Sequence, residues 1–179
     1  MEPDLLSIRP VEAATFAFFP SSQAPPTGTW WVVFRDDSDR ANALVYHALT
    51  KEGLPISKVF VSSIPADRAS LSVGATHEIC EMAVDPWLSA AYQDPSDTFW
   101  AGKICDPVED DRCGYTFDGA LVTDFVTPSW FAHAHSTAMI DPTKHASKAV
   151  EVLTGGYGQK FDAQQGWVQV TGSSARNSK

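Results

Sequence analysis

The sequence predicts an α+β domain, and three observations support this fold class. Short apolar segments rich in β-favouring residues occur early and late in the chain, a central segment has the pattern of an amphipathic helix, and a turn motif joins two further extended segments. The chain has 179 residues, which is about the length of one domain. Its composition, 44% hydrophobic and 20% charged, is typical of a globular protein rather than a disordered one.

The first predicted elements are two strands separated by a segment of mixed character. Residues 30–34 form a continuous apolar run, which predicts a buried strand. Residues 41–51 have the composition of a helix, although Val45 and Tyr46 leave an extended conformation open. Residues 56–61 predict the second strand.

The remaining elements include the central helix and a hairpin. The helix is predicted from about residue 70 to residue 84, ending before Pro86. Asp118 and Gly119 favour a tight turn with positive φ, so residues 115–126 are predicted to form a β-hairpin. Two further short elements are predicted, a helix or strand at 148–153 and a last strand at 167–170.

Charge and hydropathy exclude several classes of protein. Lys and Arg total 13 against 22 Asp and Glu, a net charge of −9. This acidity argues against binding to nucleic acids or to anionic membranes. No apolar run approaches the roughly 18–20 residues of a membrane span. Glu2 and Asp4 occupy the region that is basic in a signal peptide, so we expect synthesis in the cytoplasm without export.

The two ends of the chain differ from its middle. Residues 1–28 are rich in proline and predict an N-terminal arm, residues 29–171 the domain, and residues 172–179 a polar tail. The arm contains Phe16, Phe18 and Phe19, which either pack back on the domain or dock on a neighbouring subunit. The three cysteines are too few for a disulfide framework and are predicted to be reduced thiols, with a Cys105–Cys113 bridge left open.

The predicted central helix concentrates acidic residues on one side. Residues four apart share a helix face, so His77 and Glu81 point the same way, with Glu78 and Asp85 near them. No Lys or Arg occurs between residues 69 and 102, although that segment contains five carboxylates. A bound divalent cation, or a cationic side chain from elsewhere in the chain, would offset their repulsion.

The motif His77-Glu78-x-x-Glu81 differs by one residue from the His-Glu-x-x-His motif of zinc proteases. In those enzymes the first and last residues bind zinc, and the Glu acts as general base on the metal-bound water. A carboxylate is also a zinc ligand, so Glu81 is compatible with metal binding. A single such motif is also frequent on surface helices that bind no metal.

Other candidate sites are predicted less strongly. His133, His135 and His145 are candidates for a second metal cluster, but no acid or cysteine accompanies them closely, which favours a solvated loop. His47 is a candidate neighbour of the central helix, although a histidine hydrogen-bonded to backbone is the simpler interpretation. Asp residues within 36–39 favour a cap or turn over a calcium loop.

Several segments in order resemble a family of tailed-bacteriophage proteins with a zincin-like, metallopeptidase-like motif. The resemblance covers most of the chain between residues 30 and 171. It is carried by segments 36–39, 43–47, 53–55, 58–61, 77–86, 105–109, 124–131, 155–157 and 166–167. A looser similarity, to the His-Glu helix followed by Asp-Pro, extends to exordium-like secreted proteins.

The resemblance implies a zincin-like twisted mixed sheet packed on the helix, with a C-terminal β-hairpin region. It implies that His77 and Glu81 are metal ligands and Glu78 the general base, and that further ligation comes from the segment containing Asp106. With Asp85 from the same helix face, the predicted metal ligands are His77, Glu81, Asp85 and Asp106. Family members commonly have an acid at the position of Lys103, and an ammonium cannot ligate a metal, although it can lie over the carboxylates in place of one.

Two function classes follow. The first is a virion-associated structural protein of a tailed phage, built on a degenerate zincin-like domain and attached through residues 1–28 to other virion proteins or to copies of itself. The second is a metal-dependent peptidase that uses Glu78 as general base. A set of His and carboxylate ligands suits Zn²⁺ and also Mn²⁺, and Lys103 and Glu81 argue against a standard zinc site.

Overall fold

The computed structural model describes residues 14–41, 43–64, 71–132 and 139–172, and within them it confirms the α+β class. No helix in these ranges is both long and apolar enough to cross a membrane. The helices and strands are, in chain order, β1 (Trp31–Arg35), β2 (Val45–Leu49), β3 (Pro55–Phe60), α1 (Leu71–Val84), β4 (Ala91–Gln93), β5 (Phe99–Ala101), β6 (Tyr115–Phe117), β7 (Ala120–Val122), α2 (Pro128–Phe131), β8 (Tyr157–Asp162) and β9 (Gly166–Thr171).

A mixed three-stranded sheet packs on α1. Its strand order is β1-β3-β2, with β1 parallel and β2 antiparallel to the central strand β3. The helix contacts both β2 and β3. Val59 and Phe60 of β3 are completely buried, so this strand forms the base on which the helix lies.

Two predictions for this region are corrected by the structure. Of the two conformations left open for residues 41–51, the helix is wrong and the extended one is observed, because residues 45–49 form β2 and all five pair with β3. Backbone pairing with a neighbouring strand suits Val45 and Tyr46 and overrides the weaker helical propensity of the flanking residues. Strand β1 forms, but Trp31 and Phe34 are exposed, because β1 lies at the edge of the sheet rather than in its middle.

An antiparallel sheet of order β4-β5-β8-β9 and a separate hairpin of β6 and β7 complete the fold. The predicted turn joins β6 to β7, with Asp118 at φ 48° and Gly119 at φ 81°. The last predicted strand lies within β9, whereas the sequence did not predict β4, β5 or β8. Residues 148–153 form neither a regular helix nor a strand, because Val150 and Leu153 donate their N–H groups to irregular partners, Trp130 O and Pro107 O.

The apolar core lies between the second sheet, α2 and the segment preceding β6. Trp130 packs edge-on against Trp100, with ring centroids 5.3 Å apart, and also contacts Phe131. Cys105 and Val108 are completely buried in the same cluster. Burial on both sides of Asp106 therefore holds that residue's backbone in place.

The described part of the arm does not bury its aromatic residues equally. Phe16 and Phe18 are exposed, whereas Phe19 is half-buried. Packing back on the domain is therefore wrong for Phe16 and Phe18 within the residues that the structure describes. Residues 1–13 of the arm and 173–179 of the tail lie outside the described residues, as do His133 and His135.

Candidate functional site

Helix α1 carries three of the predicted site residues on its buried surface. His77, Glu78 and Glu81 are 4%, 4% and 2% exposed. A solvated acidic face is therefore excluded for these residues. Because isolated buried carboxylates are strongly unfavourable, each of them needs a cationic or hydrogen-bonding partner.

His47 on β2 supplies one such partner. Its Nδ1 lies 2.9 Å from Glu78 Oε2 and 3.7 Å from Glu81 Oε2. The simpler interpretation of His47 from the sequence, a histidine bonded to backbone, is thus wrong. The helical assignment of residues 41–51 concealed this contact, since only an extended β2 beside β3 brings His47 over α1.

Asp106 approaches the helix from a different segment of the chain. It begins a short 3-10 helix (Asp106–Val108), and its Oδ1 lies 3.1 Å from His77 Nε2. The neighbouring Cys105 N–H donates to Glu81 Oε1 at 3.4 Å. Gly156 permits this arrangement, because a Cβ there would lie 2.7 Å from Asp106 O and 2.6 Å from Pro107 O.

Lys103 reaches into the same cluster. Its Nζ lies 2.9 Å from Glu81 Oε2 and 3.1 Å from His47 Nε2. These contacts indicate one hydrogen-bonding pattern, in which His47 Nδ1–H donates to Glu78 and Nε2 accepts from the ammonium. The side chain of Lys103 is 18% exposed, whereas that of Glu81 is 3% exposed, so the ammonium closes the cluster on its solvent side.

Two groups of converging ligand atoms share Glu81. One consists of His47, Glu78 and Glu81, the other of His77, Glu81 and Asp106, and in each group the atoms lie within 4.8 Å of one another. In the second group, His77 Nε2 lies 3.1 Å from Asp106 Oδ1 and 3.7 Å from Glu81 Oε1. Two ligands of a tetrahedral zinc with bonds of about 2.1 Å lie about 3.4 Å apart. The buried His, Glu and Asp residues can therefore hold a metal ion.

Asp85 is not brought into either group. Although buried, its Oδ1 accepts hydrogen bonds from Ser89 N–H at 2.9 Å and Ala90 N–H at 3.1 Å. Both donors belong to the segment that leaves α1. Asp85 thus caps the turn after the helix.

The three thiols are free, and no Cys105–Cys113 bridge forms. Cys105 lies instead beside Cys80, and this contact lowers the pKa of the Cys80 thiol. Burial raises the pKa of the Cys105 thiol well above its ordinary range. A protonated Cys105 adds no further negative charge to a cluster that already contains three carboxylates.

Burial and mutual contact perturb the ionisation of the cluster. Burial alone lowers the pKa of His77, but the hydrogen bond to Asp106 and the charges of Glu81 and Glu78 outweigh it and raise that pKa to about 10. Burial, together with the charge of Asp106, raises the pKa of Glu81 to about 7 against the opposing effect of His77 and Lys103. The cluster thus retains protons that the same residues would release in an unfolded chain.

We expect the free energy of unfolding to fall as the pH rises. The pKa of Glu81 increases from 4.5 to about 7 on folding, so its contribution is present below 4.5 and is lost as the pH rises through 7. The pKa of His77 increases from 6.5 to about 10, so its contribution is lost as the pH rises through 10. Urea unfolding measured across this range tests the sign, and His77→Gln should remove the component above pH 6.5. A stability that increases across the range would contradict these ionisation states.

Comparison of the chain with known protein families, characterised proteins and solved structures finds no significant match.

Proposed function

We propose that this chain is a structural component of a tailed-phage virion, built on a zincin-like domain that works without catalysis. The observation that carries the proposal is the contact of Lys103 Nζ with Glu81 Oε2 at 2.9 Å. Glu81 stands where a zinc protease has its second metal-binding histidine. An ammonium at this distance provides the positive charge that a metal would otherwise provide.

The contacts of Glu78 also favour a structural role. The resemblance assigns this residue as general base, which requires a carboxylate oxygen free to accept a proton from water. Here Glu78 is 4% exposed, and its Oε2 accepts from His47. His47 and Lys103 donate hydrogen bonds to the carboxylates of α1. These carboxylates therefore stabilise the interior of the domain without a substrate.

The arm supplies the attachment that a virion protein needs. Phe16 and Phe18 are 68% and 90% exposed, so the arm presents two aromatic side chains that a partner can cover. Docking of residues 1–28 on other virion proteins or on another copy of the chain would bury them. The class of partner, virion proteins, is proposed from the resemblance of the sequence segments to phage proteins.

Particles assembled with variants of this chain test the proposal. Deletion of residues 1–28 should abolish incorporation into purified particles, measured by quantitative mass spectrometry, because Phe16 and Phe18 of the arm are the proposed attachment. Glu78→Gln, which keeps the size of the side chain, should be incorporated normally into particles whose proteins are processed as before. Incorporation of the deletion variant at normal copy number would reject the attachment through the arm.

A metal-dependent peptidase is the second candidate, favoured by the convergence of His77, Glu81 and Asp106. Their spacing fits a single metal, which would supply Lewis-acid activation of a water molecule. Glu78 lies on the same helix as two of these ligands, in the position that the resemblance gives to the general base. Particles that accumulate an uncleaved precursor with Glu78→Gln would favour this candidate and overturn the structural one.

A further inference from the structure

A second cluster of ligand-type side chains lies outside the site on α1 and shares no residue with it. One ligand atom each from Asp124, Asp141 and His145 lies within 4.8 Å of the others. Asp124 follows β7, whereas Asp141 and His145 belong to the loop after α2. Residues from two separate segments therefore converge at one place.

Acceptor atoms outnumber donors around the hydroxyl of Thr143. Its Oγ1 lies 2.5 Å from Asp124 Oδ2, 3.1 Å from Asp141 Oδ1 and 2.5 Å from His145 Nδ1. A threonine hydroxyl has one proton to donate. It can donate to only one of these three acceptors, so the hydroxyl alone does not satisfy them all.

One carboxylate oxygen of the cluster has no hydrogen-bond partner among the residues that the structure describes. It is Oδ1 of Asp124, a residue that is 1% exposed. Buried polar atoms are rarely left unpaired, because the lost hydration is not replaced. This orphaned oxygen points to a missing ligand independently of the clustering itself.

The backbone holds Asp141 in place for such a ligand. Its Oδ1 accepts from His145 N–H at 3.0 Å and its Oδ2 from Ala146 N–H at 2.7 Å. The carboxylate is completely buried, whereas His145 is exposed. The cluster is thus preorganised on one side and open to solvent on the side of the imidazole.

We propose that Asp124, Asp141 and His145 form a second divalent-cation site, with the hydroxyl of Thr143 as a further oxygen donor. One imidazole nitrogen among oxygen ligands suits Mn²⁺ or Zn²⁺ better than Ca²⁺, which prefers oxygen alone. A bound cation would link the loop containing Asp141 to the segment that follows β7. The sequence pattern groups His145 only with His133 and His135. Asp141 is close to His145 along the chain, but Asp124 is distant and is brought near only by the fold.

A proton shared between the two carboxylates is the competing explanation. Burial raises the pKa of Asp124 to about 6, and a hydrogen bond with Asp141 contributes to this rise. Asp124→Asn separates the two cases, because the amide resembles a protonated acid but is a poor ligand for a divalent cation. If the carboxylates share a proton, Asp124→Asn should leave the stability unchanged. If they bind a cation, Asp124→Asn should abolish that binding.

Titration of the full chain with MnCl₂, followed by NMR, tests the site. Substoichiometric Mn²⁺ should broaden the ring C–H signals of His145 through paramagnetic relaxation. His145→Ala should weaken Mn²⁺ binding at this site by about tenfold or more, and it should preserve the fold because the side chain is exposed. Ser147→Ala is the matched control, because this exposed neighbour bonds to Glu151 and not to the cluster.

Each outcome of the titration decides the proposal. Broadening of the His145 signals that is lost with Asp124→Asn and kept with Ser147→Ala supports the second site. Unaffected His145 signals at millimolar Mn²⁺, or broadening that persists with Asp124→Asn, overturn it. Mn²⁺ bound at the site on α1 would broaden the signals of His77 instead of those of His145. The titration therefore reports on the two sites separately.

Discussion

Replacing Lys103 with methionine is expected to lower the free energy of unfolding by about 3 kcal/mol, because it removes the ammonium that contacts buried Glu81. Methionine retains much of the aliphatic length of lysine, so the loss of packing is small. Glu81, 2% exposed, would then lose its contact with the ammonium at 2.9 Å. Urea unfolding of the two proteins at one pH measures the difference.

Two comparisons separate this charge effect from a general cost of substitution. Lys51→Met removes an exposed lysine and should change stability by less than about 0.5 kcal/mol. Glu81→Gln added to Lys103→Met should recover part of the loss, because the carboxylate that has lost its ammonium partner is then absent. Equal effects of Lys103→Met and Lys51→Met would show that the ammonium is not the partner that stabilises the cluster.

Metal binding by the Lys103→Met variant extends the test. If the ammonium substitutes for a metal, its removal leaves His47 and Glu81 free to ligate one. Zn²⁺ should then raise the unfolding midpoint of the variant more than that of the unmodified chain. An equal response of both proteins would argue that Lys103 and the metal do not compete.

Trp130→Ala is expected to have the largest effect on stability, a loss of about 4 kcal/mol. The indole is 1% exposed, packs edge-on against Trp100 and Phe131, and donates its Nε1–H to Glu151 O at 2.8 Å. Truncation creates a large cavity and leaves that carbonyl without its partner. Thermal and urea unfolding, with circular dichroism as readout, measure the loss.

Trp167→Ala is the matched control for the core substitution. This tryptophan lies on β9 and is 50% exposed, so its truncation should cost less than about 1 kcal/mol. Its only aromatic neighbour among the described residues is Phe161. If Trp130→Ala lowered the free energy of unfolding no more than Trp167→Ala does, Trp130 would not lie in the apolar core.

Elements with a strong local signal were predictable from the sequence. The Asp118-Gly119 turn forms because positive φ is accessible to these residue types, and its flanking segments pair as β6 and β7. Strand β3 also follows from its β-branched and aromatic residues. In contrast, β4 and β5 have three residues each, and such short segments show no periodic pattern from which a strand can be predicted.

The errors arose where tertiary contacts outweighed local preference. Residues 45–49 became a strand because β3 offered a complete ladder of partners. Trp31 is exposed because β1 occupies the edge of its sheet. Neither the identity of a neighbouring strand nor the edge of a sheet is encoded in a short window of sequence.

By itself, the sequence determined the α+β class and the helical spacing that places His77 and Glu81 on one face, because both depend on residues close along the chain. Only the tertiary structure decided which groups meet these side chains. His47, Lys103 and Asp106 reach α1 from three different segments. Their meeting depends on the packing of β2 on the helix and of the apolar core beneath the 3-10 helix, which are long-range contacts that local patterns do not specify.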